Sequence, residues 1–185
     1  QKEWYGHSIT RKSLIRVSGT SGESKVFQEG DTVVADMGMQ EGSEFSMIKK
    51  YAQFEPFSDY RVRYMAHEYV HFYQMGQGCV NPGREGETFT WFTEGSAEWL
   101  SFKAQRESGK LKSGMSVEQW ASQGLQQRLQ RGISINPLRE YERAGHFEDV
   151  YPYFTLAVEF LMKEHDIKTL ESFCANLGKN QNGQE

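Results

Sequence analysis

Two histidines stand four positions apart, with a glutamate directly after the first: His67, Glu68 and His71. On an α-helix this spacing puts both imidazoles on one face, one turn apart, where each can give a ring nitrogen to a single zinc ion. Glu68 projects beside them, where a carboxylate can hold and deprotonate a metal-activated water. A catalytic zinc takes three protein ligands and keeps one position open, so a further ligand must come from elsewhere in the chain. The segment Trp91-Phe92-Thr93-Glu94-Gly95-Ser96-Ala97-Glu98 offers it. Glu94 is the candidate third ligand. Glu98, one turn later on the same face, can accept the other ring N–H of a ligating histidine. Glu68 is then the general base that later carries the proton to the leaving amine. The competing explanation is a pair of core histidines bonded to tyrosines, with Glu94 and Glu98 on a solvated helix face. Glu68 beside the histidines argues against the first part, and Trp91, Gly95 and Ala97 suit a packed face rather than a solvated one.

The elements that must carry these residues can be read from periodicity and punctuation. Ser58 or Asp59 is a candidate N-cap for the histidine helix, which ends at Gly76; Tyr60, Tyr64, His67, His71 and Gln74 share one stripe of it. After a loop with Gly78, Asn81-Pro82-Gly83 and Gly86, a second helix spans about Phe89 to Gln105. Gly95 inside it costs about 1 kcal/mol relative to Ala. That cost is understandable where the helix closely approaches another backbone, and the histidine helix is the expected neighbour. Ser116 with Gln119 forms a capping box for a third helix reaching about Leu129. A short helical stretch follows from Leu138 to Arg143, and a long apolar helix runs from about Asp149 to Lys163, with Pro152 in its first turn. A last amphipathic helix ends at Gly178 and leaves a polar tail. Upstream, Ser13–Ser18, Lys25–Gln28 and Thr32–Met39 read as three short strands, and a helix is expected over Ser46–Tyr51. The expected organisation is one domain over 1–185, with a β-rich part over 1–56 and a helical part over 57–185.

The bulk properties narrow the partners. At 185 residues the chain is long enough to bury about 70% of its unfolded surface. A net charge of -4, with no basic run, argues against nucleic acid or an acidic membrane surface as the main partner. The longest apolar segment, Tyr153 to Met162, is too short to span a bilayer and is interrupted by Glu159. The chain begins at Gln1, which reads as a mature or excised fragment. Two cysteines, Cys79 and Cys174, define no framework: one bridge, two free thiols, or a metal ligand at Cys79 are all open.

His-Glu-Tyr-Val-His at 67–71 followed by Trp-Phe-Thr-Glu-Gly-Ser-Ala-Glu-Trp at 91–99 resembles the gluzincins, the zinc metallopeptidases whose third ligand is a glutamate. The aromatic run after His71, the Asn81-Pro82-Gly83 loop and Thr90 to Gly95 are most similar to the peptidase domains of bacterial collagenases of the clostridial and vibrio kind. The resemblance runs from about residue 59 to 178. It implies an α+β, zincin-like domain, with a small N-terminal β-sheet above a mostly helical C-terminal half. It also implies a zinc-dependent endopeptidase, with a protein or peptide as substrate and a secreted or cell-envelope address. The alternatives are a zinc aminopeptidase of the same clan, for which Gly38-Met39 is a poor amine anchor, and a non-catalytic zincin-fold binding module, to which Glu68 would be useless. Such peptidases donate a hydrogen bond to the oxyanion from the C-terminal half. Tyr151 matches that placement, with Tyr153 and His146 in reserve. The resemblance further implies a substrate-pairing edge strand, here Val33 to Gln40, and a calcium site near the zinc, here at Glu41. The loop between His71 and Glu94 is shorter than in that family, so the collagen substrate does not carry over. The oligomeric state is not set by any of these features.

Overall fold

A computed structural model describes residues 12–18, 25–30, 32–38, 57–76, 79, 89–107, 109, 114–142 and 147–182. Strands β1 (Lys12–Ser18), β2 (Lys25–Glu29) and β3 (Thr32–Gly38) lie in the order β1-β3-β2. β2 and β3 are antiparallel neighbours, with Phe27 opposite Val34, and the chain reverses through Gly30 at φ 62°, a left-handed conformation that glycine adopts without steric cost. β1 runs parallel to β3 from Lys12↔Thr32 to Ser18↔Gly38. β3 is therefore hydrogen-bonded on both sides. This overturns the expectation that Val33 to Gln40 is a substrate-pairing edge, because the backbone groups of its strand portion are already taken.

The expected α+β class also needs correction. From Phe57 onward the described chain is mostly helical and contains no strand. The candidate site and most of the core are built by helices, and the fold is a predominantly helical one. The reason is compositional: beyond Phe57 the apolar residues recur at helical spacing in segment after segment, and no alternating run of strand length interrupts them.

Five helices make this body: α1 (Phe57–Gly76), α2 (Thr90–Glu107), α3 (Val117–Gln130), α4 (Tyr151–Glu164) and α5 (Ile167–Asn182). α1 begins at Phe57, so Ser58 and Asp59 lie in its first turn rather than capping it. α3 starts on the expected capping box: the Gln119 N–H donates to Ser116 Oγ at 3.1 Å, and the Ser116 N–H donates to Gln119 Oε1 at 2.9 Å. Leu138–Tyr141 is a single 3-10 turn, and Glu148–Val150 is another that leads directly into α4. Pro152 sits in the first turn of α4, where its missing N–H disrupts no helical bond. α5 continues past Gly178 to Asn182, four residues beyond the expected stop. A glycine lowers helix propensity but does not by itself end a helix.

One core joins Phe92, Ala97, Trp99, Leu100 and Phe102 of α2 to Val158 of α4 and to Leu170, Cys174 and Leu177 of α5. A second cluster packs Tyr141, Val150 and Phe154 together. Of the possibilities open for the cysteines, the structure has the bridge: Cys79 is joined to Cys174 across 95 residues. Closing a loop of that length removes chain entropy from the unfolded state worth about 4–5 kcal/mol in the loop-entropy description. The bridge ties α5 to the turn after α1, beside the hydrogen bond from Tyr73 Oη to Glu171 Oε1 at 3.3 Å.

Gly95 does meet a close backbone, but that of α4 and not of the histidine helix. A Cβ there would lie 2.7 Å from the Phe154 carbonyl oxygen and 2.8 Å from its carbon. α4 thereby approaches α2 closely at the turn that carries Tyr151. On α3, Gly124 faces Pro152 of the same turn, with a Cβ position 3.1 Å from its Cγ. Gly95→Ala should push α4 away from α2 and lower stability by about 1–3 kcal/mol, the usual cost of overpacking a rigid site. Urea denaturation of native and variant chains measures this directly, and an unchanged midpoint would contradict the close approach.

Candidate metal centre

α1 and α2 pack side by side, and each contributes part of one cluster. His67 and His71, one turn apart on α1, aim their Nε2 atoms at each other across 3.0 Å. Glu94 on α2 completes a triangle, with Oε2 lying 3.3 Å from His67 Nε2 and 3.5 Å from His71 Nε2. Four ligands placed tetrahedrally at about 2.05 Å from a zinc ion stand about 3.3 Å from one another. The three donor atoms therefore already stand at ligand spacing, and the set of two imidazoles and one carboxylate suits that ion. Among the described residues this is the cluster of metal-ligating type that the fold assembles. The side chains of His67 and His71 are 7% and 13% exposed and that of Glu94 is 20% exposed, so the cluster is most open to solvent on its carboxylate side.

Each histidine has a different outer partner. Nδ1 of His67 stands 3.1 Å from Glu98 Oε1, within ion-pair distance but not lined up for a hydrogen bond. Glu98 is in turn held by the Arg63 guanidinium, which also lies over the Trp120 ring of α3, 4.6 Å from its centroid. Nδ1 of His71 faces Gln74 Oε1 at 2.7 Å. Gln74 is buried, and its amide nitrogen donates to the Thr93 carbonyl at 2.8 Å and to Ser96 Oγ at 2.9 Å, both on α2.

The structure thus brings His67, His71 and Glu94 together, with Glu98 behind His67. Glu68 is buried on α1 next to His67, and its charge acts on His71. The Tyr151 ring lies alongside the His67 ring, with centroids 6.3 Å apart and planes 14° from parallel. Tyr153 instead faces the aromatic cluster of Tyr141 and Phe154, with centroids at 6.4 and 6.3 Å. His146 and Glu41 lie outside the described residues. Arg63 and Gln74 were not singled out by the sequence. Their signal is spacing: Arg63 is one turn before His67, and Gln74 is three residues after His71 on the stripe that carries both histidines.

The cluster is a buried set of paired ionisable groups. Burial pulls the His67 imidazole down, but Glu94 and Glu98 outweigh it and raise the group to about 10. His71 is likewise raised against burial, chiefly by Glu94. Burial pushes Glu94 up, and the two histidines more than reverse it, holding the carboxyl well below its usual range. Glu98, also opposed by burial, is lowered to about 2, by Arg63 first and then His67. The raised His67 contributes stability that is complete below its unfolded value and lost as pH rises through about 10. The lowered Glu98 contributes stability that is present above its unfolded value and lost as pH falls through about 2. A metal must displace the imidazole protons, so its uptake should release protons and its affinity should fall as pH is lowered from 8 to 6. Zinc titration in weak buffer with a pH indicator measures this. Uptake without proton release would contradict the pairing.

A family model described as collagenase, the M9 peptidases, matches residues 39–181. No curated protein and no solved structure matches the chain. The matched span contains both helices of the cluster, with His67, Glu68, His71, Glu94 and Glu98, and it covers most of the chain. The chain therefore belongs to the collagenase family of peptidases and is a metallopeptidase, a hydrolase acting on peptide bonds.

Proposed function

We propose that this metallopeptidase is a zinc-dependent endopeptidase, its ion held by His67, His71 and Glu94. The observation that supports the reading is the triangle of 3.0, 3.3 and 3.5 Å between their donor atoms, with Glu68 adjacent on the same helix. A bound zinc ion supplies Lewis-acid chemistry, lowering the pKa of water and polarising a carbonyl oxygen. Glu68 takes the proton from the attacking water and delivers it to the leaving amine, acting first as base and then as acid. Tyr151, beside His67, donates its phenolic O–H to the oxygen that gains charge as the carbonyl carbon becomes tetrahedral. Glu98, kept ionised by Arg63, orients the His67 ring.

The substrate in this reading is a protein or peptide, and its sequence preference is left open. A secreted or cell-envelope address accords with the Cys79–Cys174 bridge, since such bridges persist in oxidising compartments. Among the described residues no helix is long and apolar enough to cross a membrane.

Two substitutions test the reading on a mixed peptide library with zinc content measured alongside. Glu68→Gln should keep one zinc per chain while lowering cleavage by about 10²–10⁴-fold, the range for loss of a general base. Tyr151→Phe should lower kcat by about 10²–10³-fold with little change in KM, as for loss of an oxyanion donor. Cleavage by Glu68→Gln at the native rate would overturn the role of Glu68. Products released one residue at a time from free N-termini would mark an aminopeptidase instead.

A further inference from the structure

The polar contacts of Gln74 fix the direction of every hydrogen bond around it. A backbone carbonyl can only accept, so the Gln74 atom 2.8 Å from the Thr93 oxygen is the amide nitrogen. Ser96 Oγ spends its own proton on the Phe92 carbonyl at 2.6 Å, so toward Gln74 it also accepts. The amide oxygen is therefore the atom facing His71, and at 2.7 Å the Nδ1 of His71 must be the donor. With one proton held on Nδ1 by Gln74, Nε2 is the nitrogen that faces His67 Nε2 and Glu94 Oε2, and it is the one left to bind a metal once its own proton is displaced.

Resting on the metal-site reading above, we propose that Gln74 is the positioning residue that selects Nε2 of His71 as the metal-binding nitrogen and registers α1 against α2 at the ligand Glu94. The two histidines are oriented by different chemistry. Glu98 brings a negative charge to His67, whereas Gln74 brings a neutral acceptor to His71. An amide locked by Thr93 and Ser96 cannot ionise or exchange its two ends, so it keeps its oxygen toward His71. The two α2 groups that lock it flank Glu94 on either side in sequence, so one buried side chain (3% exposed) fixes the relation between a ligand on each helix. The backbone of Gln74 is held as well: its carbonyl accepts the Cys79 N–H at 2.9 Å, and Cys79 is bridged to Cys174.

The test combines NMR with two substitutions. In the native protein, imidazole ¹⁵N spectra should show a slowly exchanging Nδ1–H on His71, both without metal and after zinc is added. A rapidly exchanging or absent Nδ1–H would overturn the proposal, and this readout needs neither bound zinc nor a folded variant. Gln74→Met, which keeps the volume and removes the acceptor, should weaken zinc binding by about 10–100-fold, the range for loss of a ligand-orienting partner. It should also change the visible spectrum of the cobalt-substituted protein. Gln74→Glu, which retains an acceptor for His71 but loses the N–H donors to Thr93 and Ser96, should recover part of that affinity. Native affinity in Gln74→Met, or equal losses in both variants, would contradict the assignment. Failure of the native chain to bind zinc, with the His71 Nδ1–H still protected, would count against the metal site and not against the role of Gln74.

Discussion

Two imidazoles and two carboxylates are enclosed between α1 and α2, and most of the surrounding structure answers to that arrangement. Buried ionisable groups are costly unless each meets a partner. Here His67 lies between Glu94 and Glu98, Glu98 is matched by Arg63, and His71 is held between Glu94 and Gln74. The donor atoms of His67, His71 and Glu94 stand 3.0, 3.3 and 3.5 Å apart, close to the spacing of ligands around a zinc ion.

The more distant elements serve this pairing. α4 can approach α2 because residue 95 is glycine, and the turn it brings forward carries Tyr151 to the His67 ring. α3 supplies the Trp120 face on which Arg63 rests. α5 is bridged to the turn after α1, at the residue whose N–H caps the Gln74 carbonyl. Each of these supports is one or two side chains away from His67, His71 or Glu94.

The site was more legible in the sequence than the fold. His67 and His71 share a face of one helix, and Glu94 and Glu98 a face of another, which is a local property readable from residue order. That the two pairs meet was legible through the need for a third ligand and the family resemblance, not through spacing. The Ser116–Gln119 capping box and Pro152 are local signals too, and both act where expected. What depended on tertiary placement was harder to read. Gly95 announced a close approach, but nothing near it in sequence said that Phe154 would be the neighbour. Three short strands suggested an α+β domain, yet helices alone make the body, and the strand position of Val33 in the middle of the sheet follows from pairings between distant segments. Two cysteines cannot declare their own pairing. Gln74 shared the histidine stripe, but its role depends on Thr93 and Ser96 of another helix.

The most direct test is X-ray absorption at the zinc edge on the purified, zinc-loaded chain, with metal content measured in parallel. One zinc per chain is expected, with nitrogen and oxygen donors at about 2.0–2.2 Å and the outer scattering of two imidazoles. Absence of stoichiometric zinc would contradict the assignment of His67, His71 and Glu94, as would a shell containing sulfur at about 2.3 Å.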